Sequence, residues 1–234
     1  MRFWEIDFSR GIAIILMVIF HFLWDLNYFE FTNLELYSGV IGIFQKIIPL
    51  LFLLVVGISL TLNYNRNKQK YEIKFIKQGG LIFGAGLLIT IFTLLAFPKQ
   101  PILFGILHLI GASIILSIFF IKKKYFALIT GALIISSTFI FKISTITFPE
   151  LFWLGFKPIP TLDIYPIFPW FGVVLIGIFL GHQFYENGKA KIIFQKPKLK
   201  IINFIELLGK NALLIYFLHQ PILFAIFFLI TNLT

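Results

Sequence analysis

Long apolar runs alternate with short polar stretches along the whole chain. A membrane span needs about 20 mainly apolar residues. Seven runs meet that length, at roughly 7–27, 38–63, 75–97, 101–121, 125–143, 166–184 and 205–231. The pattern predicts an all-α membrane protein, a bundle of about seven transmembrane helices. The polar stretches differ in charge. NYNRNKQKYEIKFIK carries Arg66, Lys68, Lys70, Lys74 and Lys77. Lys122, Lys123 and Lys124 follow the fourth run. Lys189, Lys191, Lys196, Lys198, Lys200 and Lys210 lie around the start of the last. With Arg2 and Arg10, these are all of the 20 basic residues except Lys46, Lys99, Lys142 and Lys157. Basic connections stay cytoplasmic, so the N-terminus is expected inside and the C-terminus outside.

Two outward connections stand apart. Loop 28–37 carries Glu30 and Glu35, and loop 144–165 is aromatic and Pro-rich. No soluble segment or linker divides the chain, so one integral-membrane domain over 1–234 is expected, multi-pass in the cell membrane. Small residues four apart at Gly80/Gly84 and Gly177/Gly181 would let helix backbones approach closely, and a homodimer is among the arrangements they permit.

Composition narrows the chemistry. Of 234 residues, 59% are hydrophobic and 13% charged, against about 25% charged in soluble domains. Mean hydropathy is +0.95. The formal charge of +10 sits in loops between spans, which topology explains without a nucleic-acid partner. With no cysteine, disulfides, thiolate catalysis and Cys-ligated metals are excluded. Met1 to Arg10 mixes Arg2 and Arg10 with Glu5 and Asp7, unlike a cleavable signal, so the first span is expected to remain.

Ionisable groups inside spans point to function. In DFSRGIAIILMVIFHFLWDL, His21 follows Arg10 by eleven residues. That is about 20° off the starting direction and about 16 Å along the helix, so both share one face at different depths. Asp25 follows His21 by four, a spacing that lets a carboxylate fix an imidazole tautomer and support its cation, as a general base requires. Packing alternatives stay open: Arg10 can pair with Asp7 or Glu5, and His21 can bond a neighbouring helix. His108, in PILFGILHLIGAS, reaches a similar depth in the fourth span. His219 lies near mid-span beside Tyr216, Gln220 and Pro221, and His182 reads as an interfacial residue. No HExxH-like pair is present, and no metal is expected.

The opening stretch RFWEIDFSRGIAIILMVIFHFLWDL resembles the first helix of the membrane acyltransferase superfamily, with Asp7, Arg10 and Gly11 forming its Asp-x-x-Arg-Gly motif. FLLVVGISLTL, GILHLIGASIIL, FPWFGVVLIGIFLG and LGKNALLIYFLHQPIL follow in order. Together they are similar to small prokaryotic relatives of the heparan-alpha-glucosaminide N-acetyltransferase catalytic domain. The resemblance implies an acyl-CoA donor, acetyl-CoA above all, on the cytoplasmic side and a sugar or amine acceptor on the other. It implies His21, which matches the span-one histidine of the acyltransferase-3 branch, as base; Asp25, His108 and His219 are further catalytic candidates by their positions. Arg10 and Asp7 would lie near the donor's phosphates. Lys74 and Lys77 stand loosely where the acyltransferase-3 branch carries Arg-x-x-Arg. The reading from another class is a channel or transporter whose buried histidines carry protons.

Overall fold

The computed structural model describes residues 3–141, 149–156, 161–186, 189–192 and 195–233. The chain forms helices almost throughout, because a backbone in hydrocarbon must satisfy its own hydrogen bonds. In order they are α1 (Trp4–Tyr28), α2 (Gly39–Arg66), α3 (Tyr71–Ala96), α4 (Ile106–Leu116), α5 (Lys124–Phe141), α6 (Ile167–Phe184), α7 (Lys200–Lys210) and α8 (Ala212–Leu233). Two short strands, β1 (Tyr185–Glu186) and β2 (Lys189–Ala190), pair antiparallel after α6. Of these helices α1, α2, α3, α6 and α8 are long and apolar enough to cross a membrane. The protein is an all-α membrane protein.

Contacts divide the chain into two compact units, one of residues 1–52 with 194–234 and one of residues 53–193. In the first, α1 packs on α7 and α8. Ile14, Met17, Phe20, Leu36 and Ile48 form its core, with Ile215 and Tyr216 of α8 against them. Glycine sets the α1–α7 distance. A Cβ at Gly11 would overlap the Ile205 carbonyl, and one at Gly209 would overlap the Asp7 carbonyl. The second unit joins its helices by mutual glycine contacts: Gly79 against Gly111 between α3 and α4, Gly131 against Gly172 between α5 and α6, and Gly57 against Gly177 between α2 and α6. Thr61 Oγ1 also donates to the Ile178 carbonyl at 3.1 Å. Of the two expected small-residue pairs, Gly177/Gly181 packs on α2, whereas a Cβ at Gly80 or Gly84 would meet nothing within 4 Å.

Three expected spans change shape. The run at 101–121 yields only an 11-residue α4 and a following 3₁₀ turn. Its first residues stay extended, because Leu162 N–H donates to the Gln100 carbonyl and Tyr165 N–H to that of Phe104. The run at 125–143 gives α5, shorter and apolar, and residues 142–148 lie outside those described. The run at 205–231 is broken at Asn211, whose N–H closes on the Leu207 and Leu208 carbonyls. Hydropathy averages across that break and joins a short amphipathic helix to a span. Within 28–37, Asn27 organises the turn by accepting from Thr32 and Leu34 and donating to the Leu34 carbonyl.

Candidate active site

The N-terminal end of α1 carries the first polar group. Arg10 Nη1 donates to Asp7 Oδ1 at 2.8 Å, one of the two pairings that the spacing offered. Asp7 is 4% exposed, so the ion pair makes its burial tolerable. Its Oδ2 has no hydrogen-bond partner among the described residues.

Three turns on, His21 Nδ1 lies 2.9 Å from the Met17 carbonyl. A carbonyl only accepts, so Nδ1 carries the proton and Nε2 keeps its lone pair. The expectation that Asp25 fixes this tautomer is corrected by that bond. Helical side chains lean toward the N-terminus, over the preceding turn, so the ring meets the carbonyl four residues back. On α8, His219 Nδ1 donates to the Tyr216 carbonyl at 2.7 Å. The two imidazoles lie edge-on, with centroids 4.7 Å apart and planes at 80°. Both are thus the Nδ1–H tautomer, with the basic nitrogen unspent on backbone. His219 is 9% exposed, and its Nε2 is buried without a partner among the described residues.

Asp25 is fully buried. It receives Gln220 Nε2–H on Oδ1 at 2.8 Å, a bond between positions 195 apart in sequence. Asp25 Oδ2 and Gln220 Oε1 are likewise buried and lack partners among the described residues. The open atoms of this cluster, His219 Nε2, Asp25 Oδ2 and Gln220 Oε1, are all acceptors in this tautomer. A ligand completing them must bring hydrogen-bond donors.

His108 sits in the second unit under different constraints. Gly105 N–H donates to its Nδ1 at 3.2 Å, which puts the ring proton on Nε2. Nε2 then reaches Thr90 Oγ1 at 3.3 Å, and that hydroxyl donates to the Ile102 carbonyl at 2.7 Å. Both ring nitrogens are engaged. His182 Nε2 donates to the Ile121 carbonyl at 2.8 Å, in keeping with an interfacial packing role. Lys74 and Lys77 are exposed on the first turns of α3, also in the second unit.

One acid in this region went unnoticed in the sequence. Asp163, in the extended segment before α6, accepts the backbone N–H groups of Ile106 and Ile164. Burial pushes its carboxyl up to about 7, against the pull of those two bonds. Its only signal in the sequence is an aspartate in an aromatic, Pro-rich loop. No three of His, Asp or Glu gather as metal ligands among the described residues.

Residues 2–221 match the family described as heparan-alpha-glucosaminide N-acetyltransferase, catalytic. The chain belongs to this family. The matched stretch runs from Arg2, just before α1, through Pro221 in α8, so it contains Asp7, Arg10, His21, Asp25 and His219. Membership in the heparan-alpha-glucosaminide N-acetyltransferase catalytic family makes this a membrane protein of an acetyltransferase family. No curated protein and no solved structure matches the chain.

Proposed function

We propose that the chain is a multi-pass acyltransferase of the cell membrane, acting as one domain over 1–234. It moves an acetyl group from cytoplasmic acetyl-CoA to an amine or sugar acceptor on the other side. The observation that carries this reading is the α1–α8 histidine pair, in which each Nδ1 is spent on a carbonyl and His219 Nε2 is buried and open. An imidazole held in that tautomer presents Nε2 as a general base.

In the proposed reaction His21 Nε2 takes a proton from the acceptor nitrogen or oxygen as that atom attacks the thioester carbonyl. The new C–N or C–O bond forms, the C–S bond breaks, and the CoA thiolate recovers the proton. Asp25 and Gln220 hold a negative and an acceptor face beside the pair, which suits an acceptor rich in N–H or O–H groups. Arg10 lies three turns below His21 and is directed by Asp7. An extended pantetheine arm is of a length to link the two positions, with the donor's phosphates at Arg10. Lys74 and Lys77 add positive charge on the cytoplasmic face. This assignment places the N-terminus inside and the C-terminus outside.

The test is an acetyl-CoA binding isotherm on the purified protein, read beside acetyl transfer to a mixed pool of sugar and amine acceptors in proteoliposomes. Binding with acceptor-dependent turnover is expected. If the wild-type protein binds no acyl-CoA, the acyltransferase reading falls. Proton leak through the same vesicles would then favour a proton pathway through the buried histidines.

A further inference from the structure

The strongest unassigned surface is on α7. This helix has 11 residues, about half of what a span requires. Its position is nevertheless fixed at two points on neighbouring spans. Ile205 and Gly209 meet Gly11 and Asp7, on the first two turns of α1. Only Asn211 separates its end from the start of the 22-residue α8. A helix held against the first turns of two spans lies at the depth where those spans enter the membrane.

Its two faces differ. The inward face places Ile205 and Gly209 on α1, with Glu206 buried beside them and paired to Lys196 and Lys210. The outward face carries Ile201, Phe204 and Leu207, and Leu199 just before the helix. Each of these four is more than half exposed. Lys198 and Lys200 are exposed beside that apolar face, and neither is paired to Glu206. An apolar face at the level of the headgroups, rimmed by lysines, has the composition of a helix that lies in the interface. Lysine stems run along apolar surface while their ammonium groups reach phosphate. Each such lysine is drawn to a negatively charged leaflet.

We infer that α7 docks in the headgroup layer of the leaflet from which α1 and α8 start, with Ile201, Phe204 and Leu207 at the acyl-chain boundary and Lys198 and Lys200 on the phosphates of anionic lipids. The inference does not depend on the chemistry proposed above. It assigns the membrane surface as the partner of a segment whose hydropathy had merged it with a span.

The chain has no cysteine, so a single introduced thiol reports cleanly. Full-length Phe204→Cys, carrying a fluorescent label, is placed in bilayers containing lipids with a nitroxide either near the headgroup or deep in the acyl chain. Ile222→Cys, exposed at the middle of α8, is the depth reference. The Phe204 site should be quenched about twofold or more by the shallow nitroxide relative to the deep one, with the order reversed at Ile222. A shallow nitroxide on phosphatidylglycerol should quench the Phe204 site roughly fivefold more than the same nitroxide on phosphatidylcholine at equal mole fraction. The Lys198→Gln/Lys200→Gln variant should bring that ratio close to one. Equal quenching by both lipids in the wild-type sequence would overturn the assignment to anionic lipid. Quenching only by a water-soluble agent would overturn docking altogether. A label shielded from every quencher, together with disulfide-linked dimers of the unlabelled Phe204→Cys protein, would assign the face to a second copy of the chain instead.

Discussion

His219 and His108 are both buried histidines on apolar helices, but they use their rings differently. His108 spends both nitrogens, one on Gly105 N–H and one on Thr90. His219 spends Nδ1 on a carbonyl and leaves Nε2 with no partner among the described residues. Leaving a buried polar atom unmet costs about 1–3 kcal/mol. In the second unit His108 avoids that cost, although Ser113 Oγ is also buried there without a partner among the described residues. The first unit accepts it at His219, Asp25, Gln220 and Asp7. The lesson is that burial alone does not separate a structural histidine from a reactive one. Under the proposed reaction, what separates them is whether the second nitrogen has already been used.

The largest effect that tests this contrast is at His21. His21→Ala should lower acetyl transfer by about 10²–10⁴-fold and leave the acetyl-CoA isotherm nearly unchanged. Arg10→Gln should act on the other quantity. Losing a charge-assisted bond to a donor phosphate should weaken acetyl-CoA binding about ten- to hundredfold, with a smaller change in turnover at saturation. Because that variant also strands Asp7, an Asp7→Asn/Arg10→Gln double variant separates lost donor binding from lost folding.

His108→Ala should leave turnover per folded molecule intact and lower stability by about 1–3 kcal/mol, read as an earlier thermal midpoint in detergent. If it abolished transfer with an unchanged midpoint, the contrast drawn between the two histidines would be broken.

The smallest effect concerns pH in the same region. Asp163 has a folded-state value of about 7 against an ordinary 3.8. The folded state therefore holds its proton more tightly than the unfolded one. The associated stability is fully present below 3.8 and is lost as pH rises through 7. Thermal midpoints should decline between about pH 4 and pH 8, and Asp163→Asn should flatten that decline. An unchanged slope in the variant would assign the titration to another group.

How far the sequence foretold this depends on the distance each feature spans. The apolar runs place α1, α2, α3 and α6, since span length and hydropathy are local properties. The Asp7–Arg10 pair was legible from a spacing of three. The sequence points to Asp25 and to Gln220 beside His219, but not to the bond between them, because Gln220 arrives from α8, 195 residues away. The short α4 was equally hidden, since residues 100–104 stay extended only by pairing with 162–165. The break at Asn211 had a local trace, Gly209-Lys210-Asn211, that a long hydropathy window smooths away. The carbonyl that orients His21 could have been foreseen from helix geometry alone.

The first unit is assembled from the two ends of the chain, and its paired imidazoles come from positions 21 and 219. During synthesis, residues 53–193 can complete their own helix contacts while α1 still waits for α7 and α8. A chain released before α7 carries His21 without His219, an Asp25 without Gln220 and a Gly11 without Ile205 seated on it. The pair therefore forms only after α8 has emerged, and any product that stops before α8 lacks half of it.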